Sequence, residues 1–142
     1  MTYATIEQLK DRYSERMLIE LTDRGEVARL AIDTDIVDRV LEDTDAVIDG
    51  YLAARYALPL VDVPPLIRDL AQTIAIYKLH AFGAPDHVAE DHRLALRTLQ
   101  DIAKGAVRIP AAGAEPSSSG GSGARMTDRE RPLTANNLKG FI

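Results

Sequence analysis

A pair of prolines and the segment behind them constrain this chain most. Pro64-Pro65 forbids a helix running through from the residues before it, while Pro65 suits the first turn of a new one. From there Leu66, Ile67, Leu70, Ile74, Ile76, Tyr77, Leu79 and Phe82 set apolar side chains nearly all round a helix over about 65–82. A helix without a polar face must be surrounded, by other helices of its own chain or by another subunit. At 142 residues the chain is one domain of ordinary size, so this segment predicts a helical bundle built around it.

The neighbouring segments supply the rest of the bundle. Thr5-Ile-Glu-Gln8 has the form of a capping box, which opens a short helix over about Ile6 to Arg12. Ser14 caps a second, through Met17, Leu18 and Leu21, which Gly25 is expected to close in the left-handed conformation. Glu26 to Asp33 is ambiguous: Val27, Leu30 and Ile32 line one side of a turn or of a short extended piece. A third helix over about 35–56, capped by Asp33 or Thr34, gathers Val37, Val40, Leu41, Val47, Ile48, Tyr51 and Leu52 on one face. Leu58 to Pro65 reads as a loop. After the break at Gly83-Ala84-Pro85, a fifth helix over about Asp86 to Lys104 has Val88, Ala95, Leu99 and Ile102 as its inner stripe, and Gly105 ends it.

Beyond Val107-Arg108-Ile109-Pro110, which reads as extended, the composition shifts. Ser117-Ser-Ser-Gly-Gly-Ser-Gly123 is linker-like, and Leu133, Leu138, Phe141 and Ile142 restore apolar character at the end. The expected organisation is an all-α domain of about five helices over 1–110, a flexible Gly/Ser-rich linker over 111–130 and an extended docking tail over 131–142.

The chain carries a net charge of −5, and residues 1–112 hold 19 Asp or Glu against 13 Lys or Arg. An acidic body lacks the electrostatic footprint of a nucleic-acid binder. Cysteine is absent, which removes disulfides and thiolate metal sites. No signal-like N-terminus and no apolar run long enough to span a bilayer is present, so a soluble protein without a membrane partner is expected.

Few residues suit catalysis. His87 and His92 lie about 140° apart round a helix and do not converge on a metal, and His87-Val-Ala-Glu-Asp-His92 misses the spacing of the zinc-protease motif. His92 falls on the apolar stripe, where a hydrogen-bonded core or interface histidine is expected. Asp33-Thr-Asp35 begins like a calcium loop, but Asp38 and Thr44 stand where that loop needs Gly and Glu. Asp35, Asp38, Glu42, Asp45 and Asp49 form an acidic ridge at helical spacing, a solvated face or one that meets a basic partner. Arg55, Tyr51, Asp38 and Glu42 are the candidates for a subunit interface or an ion pair, Arg55 with a carboxylate of another helix. Neither a phosphate-binding glycine loop nor a nucleophile elbow occurs. The chain reads as a non-enzyme without cofactor or metal.

The stretch Ile48-Asp-Gly-Tyr-Leu-Ala-Ala-Arg-Tyr-Ala-Leu-Pro-Leu60 resembles the signature of Mu-like phage head–tail connector proteins. The resemblance continues through Val63-Pro-Pro-Leu66 and Asp69-Leu-Ala-Gln-Thr-Ile-Ala-Ile-Tyr-Lys-Leu79. It includes Tyr3-Ala-Thr-Ile-Glu-Gln-Leu9, Glu20-Leu-Thr-Asp-Arg24 and the terminal Leu138-Lys-Gly-Phe141. It covers about residues 3–105 and the tail.

The resemblance implies a small adaptor at the virion neck, assembled in the host cytoplasm. Such adaptors form homo-oligomeric rings, often twelve-fold, beneath the portal, and present a platform to a stopper or tail-completion protein. DNA passes through them without specific binding. Leu133, Leu138, Lys139, Gly140, Phe141 and Ile142 would then reach the portal. The family offers no catalytic residues to carry over. The same reading serves an infectious phage, a prophage or a gene-transfer particle. The alternative is a helical interaction scaffold unrelated to virions.

Overall fold

A computed structural model describes residues 2–110, which form five helices. They are α1 (Ile6–Tyr13), α2 (Glu15–Thr22), α3 (Thr34–Leu52), α4 (Pro65–Leu79) and α5 (Asp86–Lys104). No strand occurs among the described residues, so the fold is all-α as the sequence predicts. The linker and docking-tail assignments lie outside the described residues.

α4 is the centre. It packs against both α3 and α5, which also meet each other, and α1 lies across α3 and α4. Ile67, Leu70, Ala71, Ile74, Ala75, Ile76 and Leu79 of α4 are buried. They meet Val37, Leu41, Ile48 and Leu52 of α3 and Val88, Ala95, Leu99 and Ile102 of α5 in one continuous core. Removing each such aliphatic side chain from water stabilises the fold by about 1.5–3 kcal/mol. The inner stripe of α5 is the one read from the sequence.

Local signals set most of the helix starts. The Thr5 hydroxyl accepts from the Gln8 amide while the Gln8 side chain accepts from the Thr5 amide, a complete capping box. Ser14 closes α1 and opens α2: its amide donates to the Lys10 carbonyl at 2.9 Å and its hydroxyl accepts from the Met17 amide at 3.4 Å. Asp33 caps α3 through the Ile36 amide.

The ends depart from the sequence reading in three places. α2 stops at Thr22, and Gly25 does not take a positive φ. The Thr22 hydroxyl closes the turn instead, donating to the Leu18 carbonyl at 2.8 Å and accepting from the Asp33 amide at 3.1 Å. α3 ends at Leu52 rather than near 56, and the Arg55 and Tyr56 amides fold back onto the Leu52 carbonyl. α4 ends at Leu79, short of the expected 82; Phe82 lies in the following turn, 90% exposed. Tertiary demands explain the last two. The chain has to reverse direction before Pro64, and again before α5.

Candidate interaction surfaces

The bundle has two poles. At one, the α2–α3 connection meets the α4–α5 connection: an Arg24 guanidinium nitrogen donates to the Leu79 carbonyl at 3.3 Å, and Glu20, Leu21 and Asp23 line a 110 Å³ cleft with residues Leu79 to Gly83. This pole presents Val27 at 80%, Leu30 at 95% and Phe82 at 90% exposure. Burying such side chains is favourable, so three of them exposed in these two connections make a candidate contact surface. The sequence reading had Val27, Leu30 and Ile32 on one side of a turn. Only Ile32 packs against the core, and residues 26–33 form bends rather than a strand.

At the other pole, the turn after α3 meets the end of α5. Arg55 Nη1 donates to the Lys104 carbonyl at 3.0 Å, placing a cation on the negative end of the helix dipole. Gly105 has φ 82°, and a Cβ there would collide with the Arg55 guanidinium. Among the described residues Arg55 forms no ion pair with a carboxylate, the partner expected for it; its partner is the helix end. Close by, the Tyr56 hydroxyl accepts from the Ile109 amide at 3.1 Å and Ile109 is buried. Residues 107–110 thus return onto the bundle without forming a strand.

α3 carries the charge pattern. With about 100° between successive residues, Asp35, Asp38 and Glu42 fall to one side of its solvent-facing crest, and its one basic residue, Arg39, stands just across the crest with Asp43. On one side Asp35, Asp38 and Glu42 are exposed and make no ion pair among the described residues. The ridge does not stay solvated along its length. The Asp45 carboxylate accepts from the Tyr3 amide at 2.9 Å, and Asp49 accepts from the Tyr3 hydroxyl. Burial raises the Asp45 carboxyl above the usual range, with the Tyr3 amide opposing and the Asp49 charge adding to the rise. Burial and the bond to Asp49 hold the Tyr3 hydroxyl protonated far into the alkaline range.

On the other side Arg24, Arg39 and Lys78 surround a groove of about 410 Å³ with Ile36 and Val40 against it and Asp43 as its single carboxylate. A third depression, about 290 Å³, runs between α4 and α5. The ion pair between Arg12 and Asp69, at 2.7 Å, crosses its rim.

His92 meets the sequence reading in part. It is half-buried on the inner side of α5, but it stacks on the Tyr77 ring, with centroids 3.8 Å apart, and among the described residues it makes no side-chain hydrogen bond. Burial and the nearby Lys78 ammonium lower its pKa.

What the surface offers is apolar loops at one pole, an anchored chain exit at the other and opposed charge along α3. Residues 3–128 match the family described as Bacteriophage Mu, Gp36. The chain belongs to that family. Over 142 residues, the whole of both chains, it is 30% identical to Gene product J of Escherichia phage Mu. Over 140 residues, 99% of this chain and 98% of the relative, it is 32% identical to the Mu-like prophage FluMu protein gp36 of Haemophilus influenzae. It is a Mu-like phage protein.

Within this Mu Gp36 family chain, the signature-like stretch Ile48 to Leu60, with Tyr51 to Leu60 as its most specific part, is architectural. Ile48, Leu52, Tyr56 and Leu60 are all buried, where the third helix hands over to the loop that holds Arg55. Tyr51 is half-buried against the core, while Asp38 and Glu42 stand exposed on the acidic side of α3. Arg55 lies at the opposite end of the domain from the exposed loops, so these four candidates do not form one cluster. Leu133, Leu138, Lys139, Gly140, Phe141 and Ile142 lie outside the described residues. The sequence reading missed the basic groove. The signal it lacked is three-dimensional, since Arg24, Arg39 and Lys78 come from three separate segments.

Proposed function

We propose that this protein is a structural head–tail connector, a non-catalytic adaptor of the virion neck. Copies assemble into a ring, twelve in number to match the portal, and join the DNA-filled head to the stopper or tail-completion protein. The observation that carries the proposal is membership of the Mu Gp36 family over residues 3–128, taken with the connector resemblance of Ile48 to Leu60. Two surface features support it. Exposed apolar loops at one pole suit a permanent contact with another neck protein. The acidic side of α3 suits a surface that DNA passes without being held, since like charges repel. The C-terminal tail is proposed to reach the portal through Leu133, Leu138, Lys139, Gly140, Phe141 and Ile142. Membership of a phage family weighs against a scaffold unrelated to virions.

Electron microscopy of induced lysates with this gene disrupted tests the proposal. DNA-filled or leaking heads beside separate, complete tails are the expected result. Normal joined particles would overturn it.

A further inference from the structure

The basic groove is an oddity on this molecule. In a chain of net charge −5, Arg24, Arg39 and Lys78 converge around one space with Asp43 as their only counter-charge, over a partly apolar floor of Ile36 and Val40. Among the described residues neither Arg39 nor Lys78 forms an ion pair. Cations gathered without internal partners call for an anionic one. A surface of suitable charge lies on the other side of the crest of α3: Asp35, Asp38 and Glu42, exposed and likewise unpaired. The ridge lies on α3, which also supplies Ile36, Arg39, Val40 and Asp43 to the groove, and the two surfaces differ in sign.

We infer that the Arg24–Arg39–Lys78 groove receives the Asp35–Asp38–Glu42 ridge of a second copy of this chain. The inference rests on the ring reading and names the contact that would build the ring. A two-fold contact centred on the ridge sets acid against acid, and one centred on the groove sets base against base. A two-fold axis between the two surfaces pairs them twice and stops at a dimer, whereas a heterologous contact pairs them once per copy and, repeated, closes into the ring of the proposed function. An open chain of copies keeps one free groove at one end and one free ridge at the other until closure, after which every copy has both surfaces satisfied. The apolar loops at the Phe82 pole and the chain exit beyond Ile109 stay free for other partners.

A charge swap tests it in assembling particles. One full-length variant carries Arg39→Glu and Lys78→Glu; the other carries Asp38→Lys and Glu42→Lys. Each is supplied to a strain in which the gene is disrupted, alone and together, and joined particles are counted by electron microscopy. Alone, each variant sets like charges in contact, and joined particles fall about tenfold or more. Together, the reversed groove fits the reversed ridge and the native groove fits the native ridge, so alternating rings form and the yield recovers. Full yield from either variant alone overturns the contact. So does failure of the pair to recover when both variants melt cooperatively, because the groove then meets a different partner, DNA or another neck protein. Should a double variant not melt cooperatively, the single exchanges Arg39→Glu and Asp38→Lys carry the same test. Joined particles in the absence of the gene would instead sink the connector reading itself, a distinct result.

Discussion

Arg55 and Gly105 show how one contact can stay hidden in a sequence. Arg55 reads as half of an ion pair because charged side chains are matched to charged side chains. Its partner is the Lys104 carbonyl, a backbone group exposed only because α5 ends there. Gly105 was legible as a helix terminus, but not as the residue that leaves room for the guanidinium. The Gly105→Ala exchange forces a left-handed residue to carry a Cβ, costing about 1–2 kcal/mol, and displaces Arg55, adding about 1 kcal/mol. Urea denaturation should therefore show a loss of about 2–3 kcal/mol, falling to about 1–2 kcal/mol in an Arg55→Ala background, where nothing is left to displace. His92 gives a pH signature. Its folded-state pKa is lowered by burial and by Lys78, so above its ordinary value near 6.5 the ring is neutral in both states and costs nothing. As pH falls through that value the unfolded chain takes the proton first and stability is lost. Thermal melts at pH 7.5 and 5.5 should show a smaller drop for His92→Phe, which keeps the stack on Tyr77, than for the parent protein. Tyr3 runs the other way, since its raised pKa protects the fold until alkaline pH. Tyr3→Phe should cost about 1 kcal/mol at neutral pH through the lost bond to Asp49.

At the scale of the helix, periodicity reveals interiors and conceals ends. α5 has a proline break before it, a glycine after it and a single apolar stripe, and its reading from sequence agrees with the structure over its whole length. α4 reads as apolar nearly all round, so its pattern ran on into Phe82, which no turn of the helix holds. The apolar run reflects two different burdens: Ile74 is fully buried in the core, whereas Phe82 is 90% exposed. Substitution separates them. Ile74→Ala should cost about 2–5 kcal/mol, and Phe82→Ala should stay within about 0.5 kcal/mol by denaturation. If Phe82 serves a neck contact, the same exchange should reduce joined particles while leaving the melt unchanged. α3 adds a subtler case. Thr44 lies in the middle of the buried stripe, fully covered, with its hydroxyl donating to the Val40 carbonyl at 2.7 Å. A hydropathy pattern counts it as polar. The structure accepts it because the helix itself satisfies its one donor.

At the scale of the whole molecule, the fold class and the bundle around α4 were legible because burial is written into the apolar pattern. The surfaces were not, because Arg24, Arg39 and Lys78 meet only once the chain has folded, and because an exposed Val27 or Leu30 looks in sequence like any other apolar residue. The arrangement of the poles bears on how the molecule is used. The described chain leaves the bundle at the Arg55 pole, where Ile109 is buried and tied to Tyr56, while the exposed Val27, Leu30 and Phe82 lie at the opposite pole. A partner held by the tail and a partner held by the apolar loops would therefore approach from different ends, as a joint between two assemblies requires. This separates stability from assembly. Among the described residues, Ile109 completes the core. A chain ending before Arg131 should melt within about 1 °C of the full protein, since every residue of the described core is kept, and should keep its helical circular dichroism. The same chain should fail to join heads to tails in a strain lacking the gene. A fall in melting temperature of several degrees would mean that the tail packs on its own bundle; normal joined particles would mean that the portal is held by some other part of the domain.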